Sequence, residues 1–239
     1  MKFLMPLKSR LREWLNRRLG VPTIPLALDR LRAAGFQPRT IFDVGAYEGE
    51  FTRNSLDRWP EAHVACFEVL ADALPKLNRL SAMDPRVRVF PMLLGAESRE
   101  NVPFHESETA SSVWAEQIPR PFPVRRHPMR TIDRVAEEWL KGTALDFLKL
   151  DVQGYELEVL KGAERSLAGM RAILAEVNLI DIHQGAPLLA ELVQWLAERG
   201  WAAYDICGMT RRPLDNALWQ ADMIFVPKNS PLRASKAWD

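Results

Sequence analysis

Four acidic residues, one histidine and two glycines of this sequence are placed where chemistry could use them: Asp43, Glu68, Asp151, Glu176, His183, Gly45 and Gly49. Each acid stands at or next to the end of an apolar, β-branched run, and a carboxylate ending such a strand needs a partner. Ligands of open α/β sheets gather at the carboxyl ends of the strands, so Asp43, Glu68, Asp151 and Glu176 would face one crevice. Asp146 opens its strand instead, and is read as a capping or solvent residue. Gly45 permits a sharp turn as the first strand ends. Gly49 is read as letting a ligand approach the backbone where the next helix begins.

Those glycines belong to Asp43-Val44-Gly45-Ala46-Tyr47-Glu48-Gly49-Glu50, between a strand at 40–44 and a helix at 50–59 closed by Pro60. Strand, glycine turn and helix N-terminus are the nucleotide-binding start of a doubly wound sheet. A dinucleotide fingerprint would need glycine at Tyr47. Glu48 and Glu50 would also compete with a pyrophosphate for the positive end of the helix. An adenosyl ligand with a positive centre and no phosphate fits better, and S-adenosylmethionine is such a ligand. Glu68 follows Asp43 by 25 residues, close to the offset of ribose-binding acids.

The elements that must hold these residues follow in order. Strands are expected at 63–67 and 87–92, with a helix at 71–80 between them, giving a β-α-β-α-β start with parallel crossovers. The segment 95–128 carries Pro103, Pro119, Pro121, Pro123 and Pro128. It reads as a long ordered loop with a short strand at 101–105, able to wall the cleft. His105 and His127 flank it as weak substrate-binding candidates. A helix at 134–140, strand 145–152, helix 155–167, strand 171–177, helix 187–199 and strands 201–206 and 222–226 complete the sheet. Lys149 is read as packing beside Glu156, with no chemical role.

The N-terminal 1–38 is read as a helical extension, 39–227 as the catalytic domain and 228–239 as a frayed tail. Leu4, Leu7, Leu11, Trp14, Leu15 and Leu19 recur at helical spacing among Lys8, Arg10, Arg12, Arg17 and Arg18, and a second helix is expected at 25–34. The basic helix is read as packing on its own domain or on a twin subunit in a homodimer, with peripheral membrane contact as the alternative. The 239 residues are 47% hydrophobic with a net charge of +1. That suits one domain with a sizeable core and advertises no nucleic-acid partner. Cys66 and Cys207 lie in apolar runs and read as buried thiols of a cytoplasmic protein.

The segment from Asp146 to Ala163, with Leu148-Lys149-Leu150-Asp151-Val152-Gln153-Gly154-Tyr155-Glu156 at its centre, resembles the signature of the FkbM-type methyltransferases. So do Asp43 to Gly49, where many relatives have asparagine at the Tyr47 position, and Arg130-Thr131-Ile132-Asp133. Val69 departs from the proline often found after the acid. The resemblance runs from about residue 37 to 226. It implies a class I methyltransferase (Rossmann-like) fold with seven strands, one of them antiparallel near the C-terminal edge. It also implies S-adenosylmethionine as donor and O-methylation of a sugar, glycan or polyketide-type hydroxyl.

On that reading Asp43, Gly45, Gly49 and Glu68 bind the cofactor, and Asp151, Glu176 and His183 are the catalytic candidates. A hydroxyl is a poor nucleophile until its proton leaves, so a base near the acceptor is useful. Asp151 and Glu176 are hard oxygen ligands of the kind Mg²⁺ takes, but no third ligand is visible and no metal site is assigned. A non-catalytic adenosyl-ligand or partner-binding module of the same fold is the alternative.

Overall fold

A computed structural model describes residues 15, 16, 18–107, 111–118 and 120–238. Of the basic helix expected over residues 4–19, only 15, 16, 18 and 19 are among the described residues, and these are helical.

The central strand β1 (Thr40–Val44) is buried along its whole length. It runs parallel to β2 (His63–Phe67) on one side and β7 (Phe147–Leu150) on the other. Outside β2 lies β3 (Val87–Phe90), and outside β7 lies β8 (Ala172–Asn178), both parallel. Strand β10 (Leu218–Pro227) enters antiparallel beside β8, and β9 (Trp201–Arg211) forms the edge. The resulting order, β3-β2-β1-β7-β8-β10-β9, is a seven-stranded doubly wound sheet with one reversed strand next to its edge.

Apolar residues fill both faces. On one, Phe36, Trp59 and Phe147 pack edge to face at 5.5–5.9 Å between ring centres, and the Trp59 indole N–H donates to Phe36 O at 2.9 Å. This cluster seats α1 (Ile24–Ala33) and α2 (Glu50–Arg58). On the other face Phe42, Phe67 and Phe90 pack under Trp139 of α4 (Ile132–Leu140). Burying each such ring contributes about 1.5–3 kcal/mol. Asp146, as expected, sits at the opposite end of the sheet, where Oδ2 accepts from Arg39 N and Thr40 N.

The segment read as a long loop is built differently. Strands β4 (Leu93–Leu94), β5 (Arg99–His105) and β6 (Val124–Arg130) make a second, three-stranded sheet in the order β4-β6-β5. Val102, Phe104 and Met129 are buried, a partial alternation that the prolines obscured in the sequence. Pro103 is on an outer strand, and Pro128 falls at the register shift where Asn101 has φ +58°.

Helix α5 (Glu156–Lys161) is shorter than expected. It stops at Gly162, where a Cβ would come within 2.1 Å of Gly95 O, so the chain turns under the start of the second sheet. Helices α3 (Leu74–Met83) and α6 (Leu189–Glu198) complete the layers. The tail is not wholly frayed: Ser230 is buried, its Oγ accepts from Leu232 N, and Leu232 packs on the core. Among the described residues no helix is long and apolar enough to cross a membrane.

Candidate active site

The two loops that follow β1 and β7 touch. Gly45 has φ +72°, and a Cβ on it would lie 1.9 Å from Asp151 O. Only glycine lets the loops approach this closely. Tyr47 follows at φ +45°, and Gln153 on the opposing loop has φ +52°. Two non-glycine residues in the left-handed region mark backbone strain on both sides of one crevice. Tyr47 thus takes a glycine-like conformation without being glycine.

Glu68 fastens the first loop. Its Oε2 accepts from Tyr47 N at 2.8 Å, and Oε1 accepts from Val69 N and Leu70 N at 2.6 and 2.9 Å. Burial pushes this carboxyl up, against the pull of those three N–H groups. Glu68, Gly45, Tyr47 and Asp151 line a cleft walled by Phe67, Val69, Met92, Leu93, Leu94 and Phe104. The β4 and β5 strands and residues of the former loop, among them Val113, therefore do wall the cleft.

Asp43 is fully buried and reaches no cleft. Its Oδ2 accepts from Thr52 Oγ1 at 2.7 Å, and Oδ1 is 3.2 Å from Lys149 Nζ. It acts on the loop from below, through Lys149, which also donates to Gly45 O at 2.6 Å. Lys149 corrects the sequence reading. A strand alternates every two residues, so Lys149 and Asp151 share a face, and Nζ lies 3.6 Å from Asp151 Oδ2. Glu156 is occupied elsewhere: its Oε1 accepts from Val152 N and Gly154 N, bracing the β7–α5 turn.

Gly49 also differs from expectation. Its φ of +77° needs glycine, but the space beside it belongs to Leu77 Cδ2, 2.9 Å from a built Cβ. Gly49 therefore admits α3 rather than a ligand.

Asp151 is half-buried, more open than Asp43, Glu68 or Glu176, with Oδ1 accepting from Gln153 Nε2 at 3.0 Å. Glu176 lies deeper. Its Oε1 accepts from Gln153 Nε2 at 3.0 Å and from Gln220 Nε2 at 2.5 Å. Burial, then the charges of Asp151, Glu156 and Asp222, push Glu176 well above the carboxylate range. His183, the third catalytic candidate, does not reach this cleft. It is buried, its backbone lies antiparallel against Glu116, and it lines a separate pocket with His105, Trp114 and Phe122. The structure therefore brings Gly45, Glu68 and Asp151 together on one cleft and holds Asp43, Glu176 and His183 behind it. Among the described residues, no three His, Cys, Asp or Glu side chains converge to hold a metal.

The strand order with one reversed strand, the glycine turn and the acid ending β2 are those of the class I methyltransferase fold. The chain belongs to the methyltransferase FkbM domain family, which it matches over residues 43–201. It is 25% identical over 210 residues to the 2-O-methyltransferase NoeI of Sinorhizobium fredii, covering 79% of this chain and 84% of that one. The fold is similar to that of a methyltransferase FkbM from Methylobacillus flagellatus, with TM-score 0.51 and 18% identity. That match covers 79% of this chain, which spans 43% of the solved protein. It is also similar to the O-methyltransferase TomG of Streptomyces achromogenes, solved with SAM, with TM-score 0.51, 12% identity, and 85% and 78% of the two chains covered.

Proposed function

We propose that this chain transfers the methyl group of S-adenosylmethionine to a hydroxyl of a sugar, glycan or polyketide-type natural product. The observation that carries the reading is the one cleft lined by a buried acid, Glu68, and a half-buried acid, Asp151, with apolar walls around them. These residues fit the donor. Glu68 keeps its three backbone bonds and has lone pairs left for ribose hydroxyls. Phe67, Val69, Met92 and Leu93 offer apolar surface to a base. Gly45 carbonyl and Asp151 meet the positive end, with Lys149 and Asp43 holding their geometry from beneath. The donor supplies an electrophile already activated by its sulfonium charge, so the protein's work is alignment, water exclusion and proton removal. The relative NoeI, a 2-O-methyltransferase, supports a hydroxyl acceptor.

Calorimetric titration with S-adenosylmethionine and S-adenosylhomocysteine, with NAD as control, tests the donor. Micromolar binding of both and none of NAD is expected. Mass spectrometry of incubations with methyl glycosides, oligosaccharides and polyketide alcohols then tests the acceptor. Binding with transfer to no member of that panel would favour a non-catalytic module.

A further inference from the structure

A second cleft opens on the face of the sheet that carries Asp43 and Lys149. Its walls come from α2, the β9–β10 hairpin and the residues leading into α1, among them Thr23, Phe51, Met209 and Asp222. It shares Gly45, Tyr47 and Asp151 with the donor cleft, so the two meet at the strand ends.

The sheet register decides what faces it. Asp222 pairs with Glu176 of β8 on one side and Gly208 of β9 on the other. A Cβ at Gly208 would lie 1.9 Å from Asp222 Oδ2, so the glycine makes the room the carboxylate turns into. Asp151 continues β7 on the other side of Glu176, which places the two acids about two strand spacings apart, roughly 10 Å between Cα atoms. Their surroundings differ. Both Asp151 oxygens have partners, Lys149 at 3.6 Å and the Gln153 amide at 3.0 Å. Among the described residues no donor reaches the Asp222 carboxylate; the Cys207 thiol donates only to its backbone carbonyl. Burial, then the charge of Asp151, raise Asp222 to about 6, which suits a base working near neutral pH.

We propose that the second cleft seats the acceptor and that Asp222, rather than Asp151, receives the acceptor's hydroxyl proton; this rests on the methyl-transfer reading above. The oxygen–carbon bond forms as the carbon–sulfur bond breaks, the sulfonium leaves as a neutral thioether, and the O–H proton passes to the Asp222 carboxylate. The walls hold Glu48, Glu50, Asp151 and Asp222 against Lys149 and Arg53. Such a surface disfavours an anionic acceptor and selects a neutral hydroxyl compound.

The test needs no identified acceptor. Two donor analogues are titrated, each with a tertiary amine in place of the sulfonium; one carries a 2-hydroxyethyl arm in place of the methyl group, the other an ethyl arm. The wild type should prefer the hydroxyl arm about tenfold, the size of a charge-assisted hydrogen bond. Asp222→Ala should erase that preference and Asp222→Asn reduce it, with S-adenosylhomocysteine affinity unchanged as proof of folding. No preference in the wild type, or a full preference in Asp222→Ala, overturns the assignment alone. Failure of the wild type to bind any adenosyl ligand takes down the donor reading and the assignment with it.

Discussion

Lys149 Nζ stands 3.2 Å from Asp43 Oδ1 and 3.6 Å from Asp151 Oδ2, so one buried ammonium joins the carboxylate under β1 to the carboxylate after β7. Burial pulls the Lys149 ammonium toward neutrality; Asp43 and then Asp151 more than reverse this and hold it charged above the ordinary lysine value. Lys149→Met should therefore cost about 3–5 kcal/mol, because fully buried Asp43 is left without its cation. The double variant with Asp43→Asn should lose less than Lys149→Met alone. Urea denaturation of the four proteins measures this, and a loss below about 1 kcal/mol in the single variant would contradict a structural ion pair.

Gly45 and Gly142 form a matched pair of left-handed glycines, with φ +72° and +94°. Alanine at Gly142 would meet nothing within 4 Å, so it should cost only the backbone preference, about 1–2 kcal/mol. Alanine at Gly45 would strike Asp151 O and must also part the two loops. Its S-adenosylhomocysteine affinity should fall by at least about tenfold, while that of Gly142→Ala stays at wild type. Equal affinities in calorimetry would show that the loop contact does not shape the donor cleft.

The sheet was legible in the sequence because its parallel strands are short apolar runs, three of them closed by a glycine or an acid: Gly45 after β1, Glu68 after β2 and Asp151 after β7. Gly45, Glu68 and Asp151 were found by that rule, and all three line one cleft. Lys149 was readable too: the two-residue period of a strand links it to Asp151, a signal overridden by treating the lysine as a packing residue. Asp222 was not readable in this way. Its strand is reversed, so its partners Glu176 and Gly208 come from register and not from position in the chain. The second sheet was hidden by prolines that sit on an outer strand or at a register shift, places where a missing N–H costs little.

Glu156 makes the fold sensitive to pH. Burial first, and the charge of Asp151 among the rest, raise it from 4.5 to about 7, although Val152 N and Gly154 N pull the other way. The folded state thus holds a proton that the unfolded chain releases near pH 4.5. The contribution to stability is complete below that value and is lost as pH rises to about 7, a matter of a few kcal/mol at most. Glu156→Gln keeps an oxygen for the two N–H groups and cannot ionise. Its stability should fall less between pH 5 and 8 than that of the wild type, with the residual slope coming from Glu68, Glu176 and Asp222, which shift in the same direction. Parallel urea midpoints across that range would argue that Glu156 titrates normally.

Asp222 should set the acid limb of the reaction. The groups around it are Asp151 and Lys149 across the cleft, Glu176 beside it on β8, Cys207 on β9, and Glu48, Glu50 and Arg53 on the opposite wall. Burial first, then the charge of Asp151 against that of Lys149, place Asp222 at about 6. A base must be ionised to accept a proton, so kcat/KM should fall tenfold per pH unit below about 6 and level off above about 7. Asp222→Asn should lower kcat by about 10²–10⁴ and remove that limb. Titration of S-adenosylhomocysteine over the same pH range separates this from donor binding, which should stay flat through pH 6 in both proteins. An acid limb that persists near pH 6 in Asp222→Asn, with donor binding still flat, would move the proton to another carboxylate, and Asp151 would be the first to replace.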